Sequence, residues 1–249
     1  MNAPAPRQRR AWRWIVLAVF LLSFAFVRFG NTLARALEDD APSRSFGATH
    51  DGRLENGKRL PDAGANFAAY SRLGTALGRN AVHSRVRDAV LGAYAGLART
   101  HPDLRFVYGE TGWPEGGRLR PHRTHRNGLS VDFFVPVRDA TGASVPLPTL
   151  PWTRFGYDLE FDRTGRMGGL AIDNAAIVAH LAALDDAARR HGLRIERVIY
   201  DPALQPALFA APGGAALRER IAFSARPSWV RHDEHYHVDF VLISAAEPR

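Results

Sequence analysis

The chain contains no cysteine among its 249 residues. Disulfides, thiolate catalysis and cysteine-ligated metal are therefore excluded. Lysine is nearly as scarce. Lys58 is the only one, and arginine supplies the rest of the 33 basic residues. Arginine does not give up its proton near neutral pH, which argues against a lysine-type active site. Internal repeats and low-complexity tracts are missing too, beyond a richness in alanine and arginine. Hydrophobic residues make up 46% of the chain, enough for one sizeable core or two small ones. The formal net charge of +8 suits an anionic partner, either nucleic acid or an acidic polymer such as a cell wall. The arginines are scattered and show no regular aromatic interleaving, so nucleic acid is not expected.

Residues 1–13 form a basic n-region, with Arg7, Arg9, Arg10 and Arg13 and no acid. An apolar segment over 14–29 follows, the layout of a signal peptide or signal-anchor helix. Ala34-Arg35-Ala36 is a small-x-small site, but it lies far from the apolar run. An uncleaved anchor is favoured, with the arginines on the cytoplasmic side and the rest exported to the periplasm. Residues 30–54 are polar and turn-rich and are expected to be a linker. The globular domain is expected over 55–249.

Within that domain the spacing predicts helices over Arg85–Leu97, from an Asp173 or Asn174 cap to Arg190, and over Leu217–Phe223. Strands are predicted over Leu104–Tyr108, Leu129–Val135, Arg194–Tyr200 and His235–Ile243. Helices and strands mix without a βαβ rhythm. This indicates an α+β fold with a mainly antiparallel central sheet flanked by helices, behind an N-terminal apolar helix.

Five of the ten histidines fall in two short stretches. The second stretch is His232-Asp233-Glu234-His235-Tyr236-His237-Val238-Asp239. On a strand, Tyr236, Val238, Phe240 and Leu242 share an apolar face. His235, His237 and Asp239 share the other. The first stretch runs from His122 through His125, Asn127 and Gly128 to Asp132. Asp132 lies off the core face of its strand, and Gly128 permits a tight turn between it and His125. Two adjacent strands would bring His125, Asp132 and His237 together. Two imidazoles and one carboxylate leave a fourth tetrahedral position open, the catalytic zinc pattern. His235 is then placed as general base. His235 as ligand with Asp233 as base is the alternative register. It is disfavoured because His237 lies deeper in the apolar alternation. Asp239 is either a partner for an imidazole N–H or a solvated strand residue. His50, His83, His101, His180 and His191 are isolated and are assigned no ligand role.

These residues resemble the signature of LAS-type (hedgehog-like) zinc metallopeptidases, and more closely that of the penicillin-insensitive murein endopeptidase family. Gly109-Glu110, Pro114 and Gly116-Gly117 precede the motif His122, His125, Gly128 and Asp132. The C-terminal motif His232, His235 and His237 follows Arg226-Pro227 and Trp229. Leu60-Pro61 and Gly64 are similar to an N-terminal element of the family, so the resemblance spans roughly residues 55–243. It departs from the family in lacking cysteine and in its anchor. The resemblance implies Zn2+ on His125, Asp132 and His237, with His235 as general base. It implies that His122 and His232 are pocket histidines that hold substrate or stabilise an oxyanion. It further implies peptidoglycan peptide stems as substrate, cut at a D-Ala-diaminopimelate cross-link. A D,D-carboxypeptidase of the same fold and a non-catalytic cell-wall-binding module are the alternatives.

Overall fold

The structure, a computed structural model, describes residues 6–243. Residues 1–5 of the expected n-region and 244–249 of the expected domain lie outside the described residues, as do the side chains of Arg7, Arg9 and Arg10.

Helix α1 (Pro6–Ala36) is longer than the apolar run that announces it. Its Trp12–Ala36 portion is long and apolar enough to cross a membrane, judged by length and composition. Its last turns dock on the domain. Val27, Gly30, Asn31, Ala34 and Arg35 are partly or fully buried, at the spacing of one helical face. Asn31 is the pin: its Nδ2 donates to the Leu60 carbonyl (3.0 Å) and to Asp62 Oδ1 (2.7 Å). Its Oδ1 accepts from Asn80 Nδ2 at 3.0 Å.

The stretch expected as a linker is ordered differently. Strands β1 (Arg44–Ala48) and β2 (Asp51–Glu55) form an antiparallel hairpin there. Its polar composition concealed it, because within β1 and β2 only Leu54 is buried. Backbone pairing and the Arg53 guanidinium, 3.8 Å over the Phe46 ring, hold the rest.

The chain continues through β3 (Lys58–Arg59), β4 (Phe67–Ala69), α2 (Arg72–Ala76), β5 (Ala81–Val82) and α3 (Ser84–Thr100). Then come β6 (Phe106–Tyr108), β7 (Ser130–Phe134), β8 (Val137–Arg138) and β9 (Ser144–Val145). After β10 (Arg166–Met167) and β11 (Leu170–Ile172) follow α4 (Asn174–Arg190) and β12 (Leu193–Ile199). The last elements are α5 (Gln205–Ala210), α6 (Gly214–Arg220) and β13 (His235–Leu242). Helix α6 ends before the predicted Phe223, which instead bridges to Val198.

The main sheet has five strands in the order β12-β13-β7-β6-β4. All neighbours are antiparallel except β4 and β6. The fold is therefore α+β with largely antiparallel sheets behind an apolar helix. A small sheet, β10-β11-β8-β9, and the β3-β5 pair lie beside it. On one face, Val131, Phe133, Tyr236, Val238 and Phe240 are each 0–1% exposed. Each fully buried side chain of this kind contributes about 1.5–3 kcal/mol. This face packs under α3 and α4: Tyr94 and Phe133 meet edge to face, and the Tyr236 hydroxyl lies 2.7 Å from His180 Nδ1. The opposite face, left free of these helices, carries the histidines.

Asp173 caps α4, its Oδ1 accepting from the Ala176 N–H at 3.0 Å. Asp173→Ala is expected to lower stability by about 1 kcal/mol. Chemical denaturation should show this as a lower midpoint with an unchanged slope.

Candidate metal centre

Strand register builds the centre. His237 on β13 lies directly across from Asp132 on β7, and Asp239 from Ser130. On the other side of β13, Arg197 of β12 stands across from Asp239. One pleat therefore delivers His235, His237, Asp239 and Asp132 to the same face, as the alternation predicts.

His125 arrives from the loop before β7. It adopts a left-handed φ of 66°, and Gly128 follows with φ 75°. A β-carbon on Gly128 would come within 2.7 Å of the His83 nitrogen, so only glycine fits this turn. His232 also has a left-handed φ, 55°. Non-glycine residues held this way are uncommon and gather at functional sites.

Asp132 is fully buried and is the hub. Its Oδ1 is 2.9 Å from His237 Nδ1 and 3.2 Å from His125 Nε2. Its Oδ2 accepts from the Tyr157 hydroxyl at 3.0 Å. His122 Nδ1 and His235 Nε2 stand farther off that oxygen, at 3.7 and 3.8 Å. The far nitrogen of each imidazole is held by an acceptor. His125 Nδ1 meets the Thr111 carbonyl at 2.9 Å, and His237 Nε2 meets Asp239 Oδ1 at 2.8 Å. His122 Nε2 meets Glu110 Oε2 at 2.7 Å, and His235 Nδ1 meets Glu234 Oε1 at 2.8 Å. His232 Nδ1 meets the Val230 carbonyl at 2.8 Å, and its ring lies 4.6 Å from that of His235.

Charge follows geometry. Burial would raise the Asp132 carboxyl, but the His125 and His235 imidazoles overcome it and hold it well below the usual range. Burial would lower His237, but Asp239 and Asp132 lift it to about 10. Burial keeps His125 low despite Asp132. His235 is raised: Glu234 and Asp132 outweigh its burial. His232 is pushed down to about 4 by burial and by His235.

The donor set fits a metal ion. His125 Nε2 is buried, 3.2 Å from Asp132 Oδ1, and has no hydrogen-bond partner of its own. An unpartnered lone pair aimed at a carboxylate is what a cation would satisfy. His122, His125 and Asp132 form a group whose ligand atoms lie within 4.8 Å of one another and could bind a metal ion. His237 Nδ1, the remaining expected ligand, approaches the same Asp132 oxygen at 2.9 Å.

No protein-family model matches the chain, and no curated protein matches it.

The centre floors an open cleft of about 720 Å³ lined by His122, His232, His235, His237, Glu110 and Tyr157, among others. His125 and Asp132 lie beneath it, both fully buried. All six sequence-predicted site residues thus gather in one place. Asp233 does not join them. Its Oδ2 accepts from the Phe161 N–H and pairs with Arg231 at 3.3 Å, so it braces a loop. Asp239 is the imidazole partner rather than a solvated residue.

Four groups escaped the sequence reading. Tyr157 enters from a loop with left-handed Arg154 and Phe155, and nothing in its local sequence marks it. A β-carbon on Gly109 would lie 2.6 Å from the Tyr157 hydroxyl, so glycine makes room for it. Glu110 sits in the recognised Gly-Glu turn, yet its task was not legible. It pairs with Arg79, accepts from Tyr70 at 2.9 Å and holds His122. Arg79 and Glu234 complete the supporting layer.

The expected set His125, Asp132 and His237 and the grouped His122, His125 and Asp132 differ in their protons. A metal on His125, Asp132 and His237 must displace the His237 proton, whereas the His122 set leaves it in place. Calorimetric titration of the chain with Zn2+ at pH 8, in buffers of different ionisation enthalpy, is expected to show release of ~1 proton per ion. His125→Ala and Asp132→Asn are expected to abolish binding. Binding with His237 still protonated would assign the metal to the other set.

Proposed function

We propose that this protein is a zinc-dependent peptidoglycan endopeptidase of the LAS type, acting on peptide cross-links of murein. One observation carries the reading. Two imidazole nitrogens converge on one oxygen of a fully buried carboxylate at the floor of an open cleft, each imidazole being anchored at its far nitrogen. Anchored imidazoles of this kind are the usual support of catalytic metal ligands. The ligand set favoured is His125, Asp132 and His237, because Asp132 Oδ1 faces both their nitrogens while Oδ2 is taken by Tyr157. Two nitrogens and one oxygen suit zinc and leave it a vacant position.

Bound there, zinc would supply Lewis acidity towards water and a scissile carbonyl. The remaining chemistry belongs to side chains. His235 Nε2 points towards the centre because Glu234 holds Nδ1. It is placed to take the proton of the attacking water and to return it to the leaving amine. His122, steadied by Glu110, and His232 line the cleft where a peptide carbonyl and its neighbours would lie. No serine or cysteine nucleophile is required, so β-lactams have nothing to acylate. The N-terminal helix would place the domain in the periplasm, facing this substrate.

Incubating the purified chain with cross-linked muropeptide dimers, with and without a chelator, tests the proposal by product mass. Dimers are expected to split under zinc-replete conditions and to survive chelation. His235→Ala is expected to lower kcat by about 10²–10⁴-fold while zinc content is kept. Intact dimers with zinc present would overturn the enzyme reading. Release of free D-Ala without splitting would identify a D,D-carboxypeptidase.

A further inference from the structure

Helix α1 does not merely precede the domain; the domain grips its side. At Gly30 the partner is α2, and a β-carbon there would lie 3.2 Å from Ala76 Cβ. The outward side of α2 and its C-terminal cap carry Leu73 and Leu77, 40% and 51% exposed, beside exposed Arg72. Leu73, Gly74 and Leu77 also form one wall of the cleft. Trp229 and Val230 are likewise exposed at the cleft, with the Arg123 guanidinium 5.3 Å from the Trp229 ring. Leucine, tryptophan and arginine together are the composition of a membrane–water interface.

The helix supplies a ruler. Arg13 ends the basic group, and a bilayer core of ~30 Å needs about 20 helical residues. Counted from Trp14, such a span ends near Leu33. Gly30 then lies roughly 5 Å inside the outer boundary, at 1.5 Å per residue. The domain's contact with α1 reaches at least that depth, so α2 cannot stand clear of the lipid. The α1 face turned from the domain stays apolar through this level: Phe26, Phe29, Leu33 and Leu37 are 47–77% exposed. Arg28 is exposed on the same stretch, and its long side chain can reach the headgroups.

We propose that the apolar rim of α2, Leu73 and Leu77, is seated in the headgroup region of the anionic bilayer that α1 spans, so that the cleft opens at the membrane surface. The arginines beside the rim match the charge of such lipids. The seat rests on α1 as a retained anchor and not on the peptidase reading. Joined to that reading, it narrows the substrate to peptides lying close against the membrane.

The absence of cysteine makes the test clean, because one introduced thiol can be labelled alone. Leu73→Cys, Leu77→Cys and Arg190→Cys carry an environment-sensitive fluorophore in the full chain. Arg190 ends α4, in the layer on the opposite face of the sheet. The chain is reconstituted in vesicles of phosphatidylethanolamine and phosphatidylglycerol. At 73 and 77 the emission is expected to shift to the blue and to be lost when brominated lipid is present. At 190 neither is expected. Equal quenching of all three by aqueous iodide, with no lipid quenching, overturns the seat. A blue shift that ignores brominated lipid but grows with protein density also overturns it, since a second copy then covers the rim. The readout needs no catalysis, so failure of muropeptide cleavage leaves it untouched.

Discussion

Asp132 holds a negative charge where water cannot reach it, and the groups around it are arranged to meet that cost. A buried carboxylate with no compensation costs several kcal/mol. Here four imidazole nitrogens and a phenol surround its two oxygens. Each imidazole is backed by an acceptor, and two of the acidic backers are met in turn. Asp239 is bound by Ser130 at 2.6 Å and Arg197 at 2.7 Å, and Glu110 by Arg79 and Tyr70. Along the His237 and His122 branches, charge thus alternates outward from carboxylate to imidazole to carboxylate to guanidinium. Between them, Asp132 and Asp239 hold the pKa of the His237 imidazole at about 10.

Backbone pairing gives this arrangement its rigidity. Positions on β7 and β13 are locked by the apolar residues between them, since a slip of one residue would turn every imidazole into the core. Val131 and Val238 face each other beneath the pair of Asp132 and His237, on the helix-covered side. The less regular contributions come from strained backbone. His125 and His232 reach the centre only through left-handed conformations, which the well-packed sheet next to them can sustain. The division of Asp132 follows from the same geometry. One oxygen faces the two nearest imidazoles, and Tyr157 keeps the other occupied.

What the sequence made legible is what has a period. The alternation over His235–Leu242 separated Tyr236, Val238 and Phe240 from His235, His237 and Asp239, and the structure places them on those two faces. Helices α3 and α4 and the Asp173 cap followed from stripes and capping chemistry. The supporting layer has no period. Tyr157 reaches Asp132 across 25 residues and Arg79 reaches Glu110 across 31, so neither leaves a local mark. The β1–β2 hairpin was hidden for another reason: a nearly solvent-exposed hairpin has little hydrophobic alternation to show, and its stability lies in backbone hydrogen bonds.

Asn31 bears on whether the N-terminal helix is a leader or an anchor. A signal sequence needs an apolar run and nothing that fits the mature protein. Here an amide on the helix is only 1% exposed and makes three hydrogen bonds to Leu60, Asp62 and Asn80. Cutting at Ala34-Arg35-Ala36 would remove it. Asn80, itself fully buried, would lose the Asn31 oxygen, and the groove that receives Val27, Gly30 and Ala34 would open to water. Asn80 Nδ2 would keep only the Leu60 carbonyl at 2.6 Å, and each hydrogen bond lost to the fold costs about 0.5–1.5 kcal/mol net. The last turns of the helix are thus packed as part of the fold, through Asn31 and the face that carries Val27, Gly30 and Ala34.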